Sequence, residues 1–455
     1  MKAAPHKVTL IGAGLNGPLL AILLLQRGFA VEIYERRPDM RRVRISAGRS
    51  INLALSTRGI HALQQAGLWE RMRNIIIPMR GRMMHSVAEE LTFQPYGKNE
   101  TEVINSISRA ELNIALINAA EEHGATIRFN RRCTGYDVKT SEIRVRDEET
   151  GEETPLEAGI VIGCDGSASA IRAEMLKLSR FNFSQQYLDY GYKELTIPAG
   201  PRGEHLLETH ALHIWPRGNH MLIALPNIDG TFACILFLPF EGADSFAGLT
   251  TPAHVKQFFE LRFPDAVPLM PQLADNYFSN PTGAMVTVKC SPWHVEERVL
   301  LLGDAAHAIV PFFGQGINCG FEDCSRLVEL LDESGGDWRH LFGEFEKARK
   351  VNTDAIADMA IENFTEMRDR VADSRFLFRK KVELALEARY PELFVPKYAM
   401  VTFHRIPYSV ALARGAVQDR MLAELCESIN RVEDIDWDKA DRLIHCDLVP
   451  LELRQ

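Results

Sequence analysis

The sequence predicts an α/β fold: a dinucleotide-binding domain of sheet and helix, a β-sheet substrate domain, and a helical C-terminal region. Three observations carry this. An apolar strand at the N-terminus runs into a glycine-rich turn and a helix. Strand-like runs joined by a hairpin signal follow Tyr192. After Asn318 the text is helical for a long way.

Taken in order, Val8 to Ile11 is a short apolar strand, and Gly12-Ala-Gly14-Leu-Asn-Gly17 is a turn. Pro18 suits the first turn of a helix, where its missing N–H is not needed. The helix runs through Leu19–Gln26 and stops at Gly28, and Ala30 to Tyr34 is a second strand that ends at Glu35. This βαβ opening carries an acid 18 residues after the last glycine of its motif. The glycines let a pyrophosphate approach the helix N-terminus, and Glu35 is placed to accept from a ribose diol. Ser56 opens another helix, which ends at Gly67. Ser108-Arg-Ala-Glu111 forms a capping box whose helix closes at Gly124. Ala125–Asn130 and Glu142–Arg146 read as strands, and Gly159–Gly163 as a buried strand leading to Asp165-Gly166. His220–Pro226 and Thr231–Leu238 read as strands joined by Asn227-Ile-Asp-Gly230. Val299–Leu302 returns to the first domain, and helix continues from Asn318 through Glu346 to Met367. The expected organisation is a first part of the dinucleotide domain at 1–180, with 75–100 contributing to the substrate side. A β-sheet domain follows at 181–290. The second part of the dinucleotide domain and a long helix occupy 291–370, and a helical region 371–455.

Bulk properties narrow the function. The 455 residues are too many for one simple core. A net charge of −9 argues against nucleic acid, because phosphate binding needs a basic face. Eight cysteines without a Cys-x-x-Cys pair predict buried free thiols rather than a zinc site, and no metal is expected. Val8 to Leu25 is uncharged, but its three glycines, Asn and Pro make it a poor membrane helix. The expectation is a cytoplasmic protein without a membrane span.

Three segments together predict FAD. They are the glycine motif with Gly12, Gly14 and Gly17; Gly163-Cys-Asp165-Gly166; and Leu302-Gly303-Asp304-Ala-Ala-His307. Asp304 at a strand end can accept from the hydroxyls of a ribityl chain. Pro311-Phe-Phe313-Gly-Gln-Gly316 leads into a new helix, whose free N–H groups and positive dipole end suit the pyrimidine edge of a flavin. No second G-x-G-x-x-G occurs, so a nicotinamide nucleotide would dock transiently or another protein would deliver electrons. His307 reads as structural rather than catalytic, and no catalytic nucleophile is expected.

These motifs resemble the class A flavoprotein aromatic hydroxylases, the 4-hydroxybenzoate hydroxylase type. Further stretches are similar to the kynurenine 3-monooxygenases: Gly48-Arg-Ser-Ile-Asn52, Met79-Arg-Gly-Arg82-Met, Gln94-Pro-Tyr96-Gly, Leu212-His-Ile-Trp215-Pro, Ile223-Ala-Leu-Pro226-Asn, Pro311-Phe-Phe313-Gly-Gln-Gly316-Ile-Asn, Ala360-Ile-Glu-Asn363-Phe and Lys397-Tyr398-Ala-Met. The resemblance covers about residues 7–415. It implies a Rossmann-like FAD domain, NADPH as co-substrate, O2 as oxidant, and hydroxylation of L-kynurenine to 3-hydroxykynurenine through a flavin C4a-hydroperoxide. It places the substrate carboxylate on Arg82 and Tyr96, with Asn363 and Tyr398 as further polar contacts. Ile223, Leu225, Phe237, Pro311 and Phe312 line the ring slot. It places Arg36 near the adenosine end and Arg109 near the flavin, with Gly166, Ile317 and Asn318 completing the cofactor set. Animal and fungal members continue into C-terminal membrane helices, whereas this chain looks like a bacterial member without them. Phe313 stands where some bacterial members carry His. The alternatives are a class A hydroxylase for another aromatic acid and a non-catalytic FAD protein.

Overall fold

A computed structural model describes residues 7–43, 52–369 and 374–452. Gly48 to Ile51 of the Gly48–Asn52 stretch therefore lie outside the described residues.

The first domain is built on a six-stranded sheet. Its order is His294–Val295, Val299–Leu301, Ile160–Gly163, Lys7–Ile11, Ala30–Tyr34, Thr126–Arg128. All neighbours are parallel except the first pair. The strands are buried runs such as Val8, Leu10 and Ile11, as a sheet covered on both faces requires. The helix Asn16–Leu25 is apolar nearly all round, with every residue from Gly17 to Leu24 buried. It packs against Arg109–Glu122 and Gly316–Ser334. The uncharged run at the N-terminus is thus a strand, a turn and a core helix. Among the described residues no helix is long and apolar enough to cross a membrane.

The register of this sheet does the assembly. Ile11 pairs with Gly163, and Gly163 with Leu301. Three segments far apart in sequence therefore emerge side by side at the carboxyl ends of neighbouring parallel strands, where open α/β sheets bind ligands.

A seven-stranded sheet runs Thr282–Ser291, Asn182–Ile197, Phe232–Pro239, Met221–Pro226, Ala211–Pro216, Gly81–His85, Leu91–Pro95. Only the Ala211–Pro216/Gly81–His85 contact is parallel. The hairpin between Pro226 and Phe232 forms at Asn227–Thr231, closed by Asn227 N–H on Thr231 O at 2.8 Å. The 16-residue strand Asn182–Ile197 was not anticipated. Its outer half is largely exposed and carries a register shift between Tyr187 and Gly191, so no clean alternation marks it. One face of the sheet packs on the helices Pro252–Arg262 and Leu273–Ser279 through Trp215, Leu222, Phe259 and Phe263. The other face presents Ile214, Met221, Leu225, Ile235 and Phe237 to Phe312 and to the C-terminal helices.

The helical text after Asn318 resolves into two helices, Gly316–Ser334 and Trp338–Asp369. Gly335 and Gly336 have φ of 63° and 94°, a left-handed pair that ends the first helix. Ser374–Arg389, Lys397–Thr402, Tyr408–Cys426 and Trp437–Asp447 follow; the first, third and fourth share a core around Phe394, Leu422 and Ile444, whereas Ala399, Met400 and Val401 of the second pack in the cluster under the seven-stranded sheet. The expected helices starting at Ser56 and Ser108 span Thr57–Gln65 and Arg109–Glu122. Ser108 caps the second by accepting from Glu111 N–H at 3.4 Å.

Candidate active site

The glycine turn is held by its neighbours. Gly12 N–H donates to Tyr34 O at 2.8 Å, and Ala13 N–H to the Glu35 carboxylate at 2.7 Å. The other Glu35 oxygen accepts from Arg37 N–H and Nε. Asn113 donates to Ala13 O and Gly14 O at 3.1 and 3.0 Å. A Cβ on Gly12 would lie 2.6 Å from Cys164 O, and one on Gly17 would lie 2.0 Å from Gly12 O. These two glycines bring backbone against backbone. Gly14 and Gly316 differ: a Cβ there meets nothing within 4 Å, and both line a cavity.

That cavity measures about 860 Å³. Around the glycine turn it is walled by Gly12, Gly14, Glu35 and Arg36, with Arg109 near Asp304. Asp165, Gly166 and Asp304 follow, and then Gly314, Gly316 and Ile317 at the start of a helix. Burial raises the carboxyls of Asp165 and Asp304 above their usual range; hydrogen bonds from Ser169 and the Ala170 N–H oppose this at Asp165, and Arg109 opposes it at Asp304. Asp165 uses one oxygen on Ala170 N–H at 2.7 Å, and its other oxygen is buried without a partner. Bare glycine backbone, an orphaned carboxylate oxygen and a helix N-terminus in one long cavity fit FAD: an anion-tolerant cradle followed by acceptors for hydroxyls.

At the other end the wall is apolar. Met221, Ile223 and Leu225 alternate on one strand and Ile235 and Phe237 on the next, joined by Pro311, Phe312 and Phe313. Arg82 enters here from the strand Gly81–His85, half-buried. Its guanidinium carbon lies 5.4 Å from the Tyr96 ring centre and 5.1 Å from that of Tyr398. Its Nε is enclosed without a hydrogen-bond partner, and among the described residues no ion pair to a carboxylate forms there. Burial pushes the Tyr96 and Tyr398 phenols up, so both stay neutral donors. The two rings stack at 5.9 Å and 15°. The site therefore joins a cofactor-sized cleft to an apolar slot with one cation and two phenols at its end.

A family model described as "FAD binding domain" matches residues 6–340. A kynurenine 3-monooxygenase of Myxococcus xanthus is 53% identical over 450 residues, 99% of this chain and 97% of that protein. One of Flavobacterium psychrophilum is 47% identical, covering 93% and 94%. The chain belongs to the kynurenine 3-monooxygenase family. It is an FAD-dependent aromatic monooxygenase. Among solved structures, 2-methyl-3-hydroxypyridine-5-carboxylic acid oxygenase shares the fold, with a TM-score of 0.67, 20% identity, and coverage of 83% and 96%. PqsL of Pseudomonas aeruginosa in complex with 2-aminobenzoylacetate gives 0.64 and 18%, covering 81% and 98%.

On this kynurenine 3-monooxygenase framework most residues singled out by sequence share the one cavity, and three stand behind its wall. Gly17 packs on Gly12. The Asn318 amide donates to Ala54 O and Gly314 O at 2.8 and 2.9 Å and accepts from Ser56 N–H at 2.8 Å. The Asn363 amide donates to Phe312 O at 2.6 Å. His307 also lies outside the cavity lining. Its Nε2 is 2.6 Å from Asp323, whose carboxylate holds the buried imidazole well above its ordinary range. Sequence reasoning missed Met79, Leu212, Met221 and Ile235 on the apolar wall. The signal was there for the last two: Met221 extends the two-residue period of Ile223 and Leu225, and Ile235 precedes Phe237 by two. Asn113, which steadies the glycine turn from an apolar-looking helix, carries no such signal. Of the eight cysteines expected to be buried, Cys446 is exposed and Cys164 half-buried, because Cys446 faces outward near the end of the last helix and Cys164 borders the cavity.

Proposed function

We propose that this enzyme hydroxylates L-kynurenine to 3-hydroxykynurenine, with NADPH as reductant and O2 as oxidant. The observation that carries the reading is Arg82. A cation set beside two neutral phenols at the end of an apolar slot, with an enclosed Nε lacking a partner, suits an aromatic ligand that ends in a carboxylate. The guanidinium fork takes the carboxylate, and Tyr96 and Tyr398 donate to it. Ile223, Leu225, Phe237, Pro311 and Phe312 hold the ring. Asn363 supports the slot by fixing the Phe312 carbonyl.

FAD, when bound, supplies the oxygen-activating redox chemistry. Gly12, Gly14 and Gly17 shape the pyrophosphate turn. Glu35 and Arg36 would hold the adenosine end, and Asp165, Gly166, Asp304 and Arg109 the ribityl and flavin region. The helix start at Gly316 and Ile317, braced by Asn318, would hold the pyrimidine edge of the flavin, where its positive end would favour negative charge. The ring amine of kynurenine makes the adjacent carbon electron-rich, so the protein's task is to position that carbon and exclude water. The stacked Tyr398 and Phe313 rings, 5.6 Å apart, close the slot on the C-terminal side. The test is NADPH oxidation with and without L-kynurenine, with the hydroxylated product identified. Stimulation by benzoates and none by kynurenine would overturn the assignment.

A further inference from the structure

The loop Pro311–Gly316, which lines the cavity and is proposed to face the flavin, is also held from behind by the C-terminal helical region. Gln315 is buried and precedes the helix Gly316–Ser334. Its amide oxygen accepts from the Tyr408 hydroxyl at 2.9 Å. Tyr408 is fully buried at the start of Tyr408–Cys426. Arg58 lies over the Tyr408 ring at 3.9 Å and donates to Val401 O at 3.4 Å and to Ile406 O. It also pairs with Glu322, which Arg349 holds at 2.5 Å. Arg349 in turn bonds Asp323 at 2.7 Å, and Asp323 accepts from Gly303 N–H at 3.1 Å. The short segment between Tyr398 and Tyr408 thus touches the loop twice. Tyr398 stacks on Phe313, and Tyr408 bonds Gln315 between the cavity-lining Gly314 and Gly316.

We infer that Tyr408 is a positioning residue through which the C-terminal region couples the substrate pocket to the flavin-side loop. A phenylalanine would fill the same core, so packing alone does not need the hydroxyl. Its use is to fix Gln315, and with it the glycines on either side. Arg58 fixes the backbone of the connecting segment, so a shift of Tyr398 on ligand binding reaches Tyr408 rather than dissipating in a loose link. The inference rests on the proposed kynurenine reading for the ligand, but not for the contact.

The experiment uses FAD-loaded wild-type and Tyr408→Phe enzyme. It measures anaerobic flavin reduction by NADPH with and without L-kynurenine, the L-kynurenine Kd from the flavin spectrum, the FAD Kd and the Tm. The expected result is that kynurenine stimulation falls about two- to twelve-fold, the factor equivalent to a neutral hydrogen bond, while the kynurenine Kd stays within about twofold. Gln315→Ala should produce the same loss, and the double variant should add little. Unchanged stimulation, a loss matched by weaker kynurenine binding, or additive effects would overturn the coupling. If kynurenine does not stimulate the wild-type enzyme, the substrate reading fails. The contact is then judged by FAD affinity, which Tyr408→Phe should weaken by the same factor, and unchanged affinity would remove it.

Discussion

Replacing Arg82 by alanine isolates the proposed carboxylate anchor. Arg82 projects from the strand Gly81–His85 into the cavity with an unpartnered Nε, and among the described residues it forms no ion pair with a carboxylate. Its removal breaks no ion pair among the described residues, but the buried Tyr96 and Tyr398 hydroxyls lose their hydrogen bonds with it, so the Tm should fall by only a few degrees. In the enzyme–substrate complex the loss is different in kind. A substrate carboxylate carried into the slot would lose its charge-assisted pair and keep only the two phenols. Truncating one partner of a buried hydrogen-bonded charge pair costs roughly 2–5 kcal/mol, a factor of about 30 to several thousand in kcat/KM. Lysine should recover part of this, because a point charge cannot make the two-pronged contact. Tyr96→Phe should cost only about 0.5–1.5 kcal/mol, one neutral donor. Steady-state NADPH oxidation with L-kynurenine, beside a flavin spectrum for each variant, measures all of this. A normal kcat/KM in Arg82→Ala refutes the anchor, and loss of flavin would make Arg82 structural.

Acid precipitation of the purified yellow protein should release one FAD per chain, and flavin left in the pellet or FMN in the supernatant would count against the cofactor cradle. Gly14→Ala should fold normally but bind FAD more weakly, because its Cβ meets only open cavity, whereas Gly17→Ala should fail to fold or to load, since its Cβ would meet Gly12 O at 2.0 Å; equilibrium dialysis and Tm separate the two. Burial pulls His220 down to about 4, and neither of its ring nitrogens has a partner. A depressed folded value means the unfolded chain binds the extra proton first, so stability falls as pH drops from about 6.5 to about 4. His220→Leu should raise the Tm and reduce that acid loss, and a Tm–pH curve parallel to wild type would refute it.

The cofactor half was legible because its chemistry depends on backbone. Strand, glycine turn, helix and acid follow one another within 35 residues, and each local rule points to the same answer. What periodicity did not supply is the adjacency of Gly12, Asp165 and Asp304, which comes from the registers Ile11–Gly163 and Gly163–Leu301. The substrate half was legible only through resemblance. Arg82 lies on a strand, Tyr96 just past the end of another and Tyr398 on a short helix, in different parts of the chain, and no spacing rule connects them. The long strand Asn182–Ile197 escaped for a physical reason: with one half exposed and a bulge near its middle, it lacks the alternation that marks a half-buried strand.

The same physics explains why some residues in matched motifs stand off the cavity. Asn318, Asn363 and Gly17 belong to the motif stretches, yet each makes its bond or close contact to backbone that does line the cavity: Gly314 O, Phe312 O and Gly12 O. A flavin and an aromatic ring offer large flat surfaces, and a wall that meets them must be placed to a fraction of an ångström. Backbone carbonyls held by buried amides do this better than flexible side chains reaching in directly. A sequence motif therefore marks the whole supporting shell and not the contact surface alone. That is why Gly14 and Gly316, whose added Cβ atoms would meet nothing, are better guides to where the cofactor lies than the more crowded glycines beside them.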